Sequence, residues 1–260
     1  MPQPRPSRRP RRGSSTRSFR DEAFVVRTHK LAEADLILVL LTKDHGLIRG
    51  VAKGIRKTKS HFGARLDRFS KVDINVYPGR TLAKITDAAT IATYASPIVG
   101  DPDRYFAGTA MLEMAQLFAA GDGGGGSFFH FLDANLRALT HIEDMGLFPV
   151  TLADRFVLQC LGNSGWMPSL VDCAQCGKPG PHRAFNSAAG GAVCVHCRPT
   201  GSATPPAQAV RLLWLLVNGR LAQAADAGSD VNVTREAHRL LAGYVRTQLE
   251  TACPAFSNLA

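Results

Sequence analysis

Cys173, Cys176, Cys194 and Cys197 stand in the spacing C-x2-C-x17-C-x2-C, and no other feature of the chain restricts its folding as sharply. A tight turn in each CxxC points two thiolates at one ion, and Gly177 directly after Cys176 suits such a turn. Two knuckles supply four soft ligands, which match a closed tetrahedral zinc site. Four sulfurs leave no position for water, so the expected ion, one Zn2+, is structural. An iron–sulfur cluster draws on the same four thiolates and stays open on spacing alone. A redox CxxC needs a βαβ setting, which the surrounding pattern lacks. His182 and His196 lie close enough in sequence to replace a cysteine as ligand. A zinc deaminase pairs H-x-E with P-C-x-x-C. His141-Ile142-Glu143 supplies the first half, but Asp172 and Val193 stand where the prolines belong, and a second CxxC is left over.

The other two cysteines, Cys160 and Cys253, sit alone in apolar helical surroundings. That distribution favours a metal over a disulfide framework in a reducing compartment. The basic N-terminus is followed by no apolar run, so it does not read as a secretory signal. No stretch approaches the roughly 18–20 apolar residues of a membrane span. The expected location is the cytoplasm, with the nucleoid.

The net charge of +10 is unevenly spread. Residues 1–20 and 21–90 are strongly basic, residues 91–172 are acidic, and residues 173–260 are mildly basic. Such segregation points the N-terminal half at a polyanion and gives the middle another task. Residues 1–18 hold Pro, Arg and Ser with no hydrophobe beyond Met1, and read as a disordered basic tail.

From Phe19 to about Ile91 the pattern is that of short strands. Ala23–Thr28, the continuous apolar run Ala34–Leu41, Leu47–Ala52, the alternating Val72–Tyr77 and Leu82–Ile91 make five. Lys43-Asp44-His45-Gly46 reads as a hairpin turn between the second and third. Five strands with no long helix between them predict a small barrel, and the OB-fold is the common nucleic-acid-binding case. After Ser96-Pro97 the period becomes helical, with Asp101 as N-cap and Pro102 at the first helical position. Helices are expected over 128–144, 152–161, 207–221 (opened by Thr204-Pro205) and 235–251 (opened by Thr234), with the Gly121–Gly126 run as a breaker. The fold class is therefore α+β and multidomain: tail 1–18, OB-fold domain 19–95, and helical domain 96–260 with the zinc module inserted at 170–200.

Residues 49–71 carry Arg49, Lys53, Arg56, Lys57, Lys59, Arg65, Arg68 and Lys71 against the single acid Asp67. Dense cations between two strand regions suit phosphate contact, and Phe62 and Phe69 are candidates for stacking on bases. The commoner fate of an aromatic in a small barrel is burial. No GxxxxGK[ST] occurs, no Ser-His-Asp set or nuclease-like carboxylate cluster can be argued from spacing, and no enzyme is expected.

Several stretches together resemble the RecO family of bacterial recombination mediators. They are FRDEAFVVRTHKLAEADLILVLLTKDHGLIRGVAKGIRK, HFGARLDRFSKVDINVYPGR, RYFAGTAMLEMA and CAQCGKPGPHRAFNSAAGGAVCVHCRP. The resemblance runs from about Phe19 to Leu249, nearly the whole chain, and the basic extension at 1–18 lies outside it. It implies a non-enzymatic protein that binds single- and double-stranded DNA and anneals complementary strands. With RecR, such proteins help load RecA onto DNA coated by single-strand-binding protein, whose acidic C-terminal tail docks on the helical part. By that analogy Arg49, Lys53, Arg56, Lys57, Lys59, Arg65 and Arg68 form the DNA-contacting group. A zinc-ribbon transcription regulator is the alternative binding module, and the deaminase the alternative enzyme.

Overall fold

Five strands, β1 (Phe19–Lys30), β2 (Leu36–Thr42), β3 (Leu47–Ala52), β4 (Ser70–Tyr77) and β5 (Ala83–Thr93), close into a barrel in the order β1-β2-β3-β5-β4. Every neighbouring pair is antiparallel except β3 and β5, which meet in a short parallel contact at Gly50–Ala83 and Val51–Lys84. This is the five-stranded OB-type barrel expected from the strand count. The computed structural model describes residues 17–60, 62, 65–121 and 126–259. The reading of the tail at 1–18 falls almost entirely outside them, as do His61, Gly63 and most of the glycine run.

β1 is long because it serves two neighbours: Phe19–Phe24 pairs with β4 and Ala23–Lys30 with β2. A bulge between Val25 and Arg27 supplies the bend that closure requires. At the β3–β5 seam, a Cβ on Gly50 would lie 2.6 Å from Ile85 Cδ1, so a side chain there would prop the seam apart.

Side-chain alternation explains the two kinds of strand. In β4, Val72, Ile74 and Val76 fill the barrel interior while Asp73, Asn75 and Tyr77 face outward. β2 shows no alternation because both its faces are buried. Leu38 and Leu40 point into the barrel, whereas Val39 and Leu41 join Phe24 and Val26 in the core shared with the helices. An unbroken apolar run is what a strand covered on both faces requires.

The helical region holds α1 (Ala95–Val99), α2 (Pro102–Ala120), α3 (Gly126–Thr140), α4 (Pro149–Asn163), α5 (Ala207–Val217), α6 (Leu221–Ala227), α7 (Val231–Leu249) and α8 (Pro254–Ser257). Asp101 caps α2, accepting from the Arg104 N–H at 2.8 Å. Three expected boundaries moved. The helix from 128 stops at Thr140, and Ile142–Met145 follows as a 3-10 turn ended by Gly146 at φ 61°. The segment 207–221 breaks at Asn218-Gly219, where Gly219 adopts φ 67°, so α5 and α6 are separate. α7 begins at Val231, not near Thr234, because the Asp230 carboxylate accepts from the Asn232 N–H at 2.8 Å. Thr234 instead donates its hydroxyl to Gly228 O from a buried position.

Barrel and helices share one continuous core. Phe24 meets Phe129 of α3 at 5.2 Å, and Phe69 meets Tyr105 of α2 at 6.1 Å. Phe69 holds φ 63°, an uncommon conformation for a bulky residue. A Cβ on Gly108 would lie 2.8 Å from its ring, so α2 is shaped to receive it. Lys71 completes this joint, reaching Glu22 at 2.9 Å and Asp133 of α3 at 3.2 Å. The Tyr94 hydroxyl donates to the same Asp133 at 2.7 Å. Among the described residues, no helix is long and apolar enough to cross a membrane.

Candidate nucleic-acid interface and metal centre

The link between β3 and β4 carries the cationic segment, and its two ends are held differently. At the start, the Asp35 carboxylate accepts from the Gly54 N–H at 2.7 Å, Gly54 taking φ 68°. The Arg56 N–H donates to Ala34 O at 3.1 Å. Toward the end, Phe62 and Leu66 plug the barrel interior and Phe69 enters the helical core. Those apolar anchors turn the intervening charges outward. Arg49, Lys53, Arg56, Lys57, Lys59, Arg65 and Arg68 are all exposed.

Lys71 is the exception among the cations, its side chain only 15% exposed and committed to Glu22 and Asp133. Burial acts to lower its pKa, but the two carboxylates more than offset that and hold it raised. Phe62 and Phe69 are each 1% exposed, so neither ring has a face for a base.

The second feature is the cysteine module. Its two knuckles flank a small hairpin, β6 (Ala184–Asn186) and β7 (Gly191–Val193). The four Sγ atoms lie within 4.8 Å of one another, with Cys176 and Cys194 sulfurs 3.9 Å apart. A tetrahedral zinc with Zn–S near 2.3 Å separates its sulfurs by about 3.8 Å, so the residues fit the ion. Gly177 takes φ 69° and donates its N–H to Cys173 O at 2.8 Å, closing the first knuckle. The Cys194 N–H donates to Cys173 Sγ at 3.4 Å. That bond is the main reason the Cys173 thiol is lowered to about 6. Sulfur neighbours, Cys176 first, push Cys197 up to about 12, a conflict that a divalent cation removes. The four cysteines form a structural zinc site with no open position.

His182 is not a ligand: its Nε2 lies 2.9 Å from Lys178 O. Neither His182, His196 nor His141 joins the sulfur cluster among the described residues. Glu143, which a deaminase would need beside the metal, pairs with Arg104 on the 3-10 turn.

The module is seated on α7. Phe185 packs edge-on against Tyr244 at 6.3 Å, and Gln248 Nε2 donates to Ser187 O at 2.6 Å. Ala192 N–H donates to Ser169 O at 2.7 Å.

Sequence reasoning missed one buried polar pair. Asp154 of α4 and His238 of α7 are each 1% exposed and meet at 2.7 Å under the ring of Phe256. Nothing in either local sequence marks them, since they are joined only by the packing of two distant helices. Burial lowers the imidazole pKa, and the Asp154 carboxylate more than reverses that, leaving it raised. Burial is likewise the larger influence on Asp154, whose carboxyl is raised despite His238. The pair ties α4 to α7.

Two family models match the chain, one over the barrel and one over the helical region with its zinc hairpin. Recombination protein O N terminal matches residues 17–94, and Recombination protein O C terminal matches residues 99–254. Together they cover nearly all of a chain whose cationic loop and four-sulfur site had already pointed the same way, and the protein belongs to the recombination protein O family.

Proposed function

We propose that the chain binds single- and double-stranded DNA through Arg49, Lys53, Arg56, Lys57, Lys59, Arg65 and Arg68, and anneals complementary strands. Together with RecR it helps load RecA onto DNA coated by single-strand-binding protein. Its family consists of non-catalytic mediators of DNA repair, so the mechanism is electrostatic and involves no covalent step. The division into a DNA-binding unit at 19–95 and a helical unit at 96–260 belongs to this reading, as does action in the cytoplasm at the nucleoid.

One observation carries it: the loop and the adjoining β3 expose seven cations, and the loop withdraws both of its described aromatics, Phe62 and Phe69, into apolar cores. Such a surface grips phosphate and leaves base edges uncovered. Neutralised phosphates release condensed counterions, which drives binding and brings two mutually repelling strands together. A stacking platform of the kind many single-strand binders use would hold bases away from a complementary strand. The acidic balance of residues 91–172 makes that segment a poor DNA surface, which agrees with a partner-binding task there. Docking of the single-strand-binding protein's acidic C-terminal tail belongs to the same reading and calls for a basic patch elsewhere on the helical region.

Strand annealing of complementary oligonucleotides, with and without single-strand-binding protein, tests the reading. Acceleration that falls steeply with salt is expected. No acceleration in either condition would overturn it, and strong preference for one duplex sequence would favour a zinc-ribbon regulator.

A further inference from the structure

Between the zinc module and α5 lies an open cleft of about 660 Å3, within the roughly 300–1,000 Å3 of ligand-sized sites. Leu170, Pro181 and Arg183 come to it from the module, and Val210, Arg211 and Trp214 from α5. α5 turns Leu212, Leu213, Leu215 and Leu216 into the shared core, which leaves its other face for the cleft.

The lining is mainly apolar, its charged members are Arg183 and Arg211, and it holds no acid. Both arginines are exposed, and neither guanidinium makes an ion pair or hydrogen bond with a described residue. Residues 170–225 carry five Lys or Arg against one acid, Asp172, whose carboxylate already accepts from the Gly180 N–H at 3.2 Å. A phosphate chain calls for denser cations than two. Trp214 already carries the Arg220 guanidinium 5.1 Å from its ring, so it offers little face to a base. Carboxylates beside an apolar side chain match this surface, because a guanidinium fork takes a carboxylate through two hydrogen bonds.

The module's side of the cleft has little core of its own to hold it. Lys178 O accepts from the Cys173 N–H at 2.9 Å and lies 2.9 Å from His182 Nε2, so residues 181–183 are tied to the first knuckle. We infer that the zinc module and α5 form a docking cleft for an acidic peptide segment bearing a bulky apolar side chain, and that the cleft exists only while the metal holds the module. The apolar side chain enters against Leu170, Val210 and Trp214, and flanking carboxylates pair with Arg183 and Arg211. The inference rests on the partner docking proposed for the helical region, and adds to it a place and a dependence on zinc.

Fluorescence anisotropy on the zinc-loaded full chain tests it with a labelled peptide of four Asp followed by two Phe. Control peptides replace Phe by Ser, or Asp by Lys. The first peptide is expected to bind about tenfold or more tighter than either control, and Arg183→Glu with Arg211→Glu should erase that advantage. Zinc removal by a chelator, checked by metal content, should abolish peptide binding and leave salt-dependent oligonucleotide binding in place. Equal affinity for the three peptides, an unaffected double variant, or peptide binding that survives metal loss would overturn the inference. Such a result alongside normal binding of whole single-strand-binding protein leaves partner docking standing; with no binding of that protein either, partner docking falls as well.

Discussion

The cationic loop and the zinc module are both irregular segments rich in turns, yet they are made rigid by opposite means. The loop is pinned by apolar plugs: Phe62 and Leu66 enter the barrel and Phe69 enters the helical core. The module's own apolar cluster holds little beyond Ala184, Val193 and two of its cysteines. A segment with so little to bury cannot offset its ordering entropy by hydrophobic burial, and a metal supplies what is missing. The loop, plugged into two cores, leaves its charges exposed; the module, which enters the shared core mainly through Phe185, spends thiolates on structure.

Metal removal offers the largest effect with which to break that contrast. Structural zinc contributes about 10–16 kcal/mol of apparent binding free energy in isolated zinc-finger peptides. A strong chelator, or Cys194→Ser, should release one zinc per chain. Amide-exchange protection should vanish over residues 170–200 while the barrel strands stay protected. Loss of protection across β1–β5 as well would show that the two regions are not independently held.

Next in size is the loop's aromatic anchor. Phe69→Ala should cost about 3–5 kcal/mol in denaturant unfolding, since it empties a buried ring site against α2. Phe69→Gly should be no worse than alanine, because glycine accepts φ 63° without strain. A midpoint unchanged by either substitution would mean that the loop is not pinned through this ring.

Charge reversal of Lys53, Arg56 and Lys57 together should leave stability within about 0.5 kcal/mol per site. It should weaken DNA binding and lower the slope of log K against log salt by about 2. The comparison sharpens if stability and DNA affinity separate in this way. An unchanged slope would remove these residues from the interface.

The smallest expected effect is a pH dependence set in the helical core, at the buried Asp154–His238 pair. His238 has a raised folded pKa, so the folded state binds more protons than the unfolded chain between the ordinary value near 6.5 and that higher one. Stability from this group is fully present below the ordinary value and declines as pH rises through the folded one. His238→Gln should flatten that decline in thermal melts between pH 6 and 9. An identical profile in the variant would assign the slope to other groups.

Much of the molecule could be read from local spacing alone. The zinc ligands followed from four cysteines whose separation fits one ion, and the barrel from five runs of strand length. The Asp101–Pro102 start of α2 followed from side chains that act within one turn of themselves. Errors came where a competing local group stood nearby: Asp230 took the cap expected near Thr234, and Gly219 cut one expected helix into two.

Contacts between residues far apart in sequence decided the rest. Lys71 looks like its seven cationic neighbours, and only Glu22 and Asp133, brought in from β1 and α3, show that it braces the barrel against the helices. Phe62 and Phe69 had two possible fates, and barrel closure and the docking of α2 chose burial for both. Asp154 and His238 carry no local mark and became a pair only when α4 met α7. The sequence by itself determined the elements and the metal, because those depend on geometry within a few residues. The tertiary structure decided which charges stay exposed, because exposure depends on what packs on the other side.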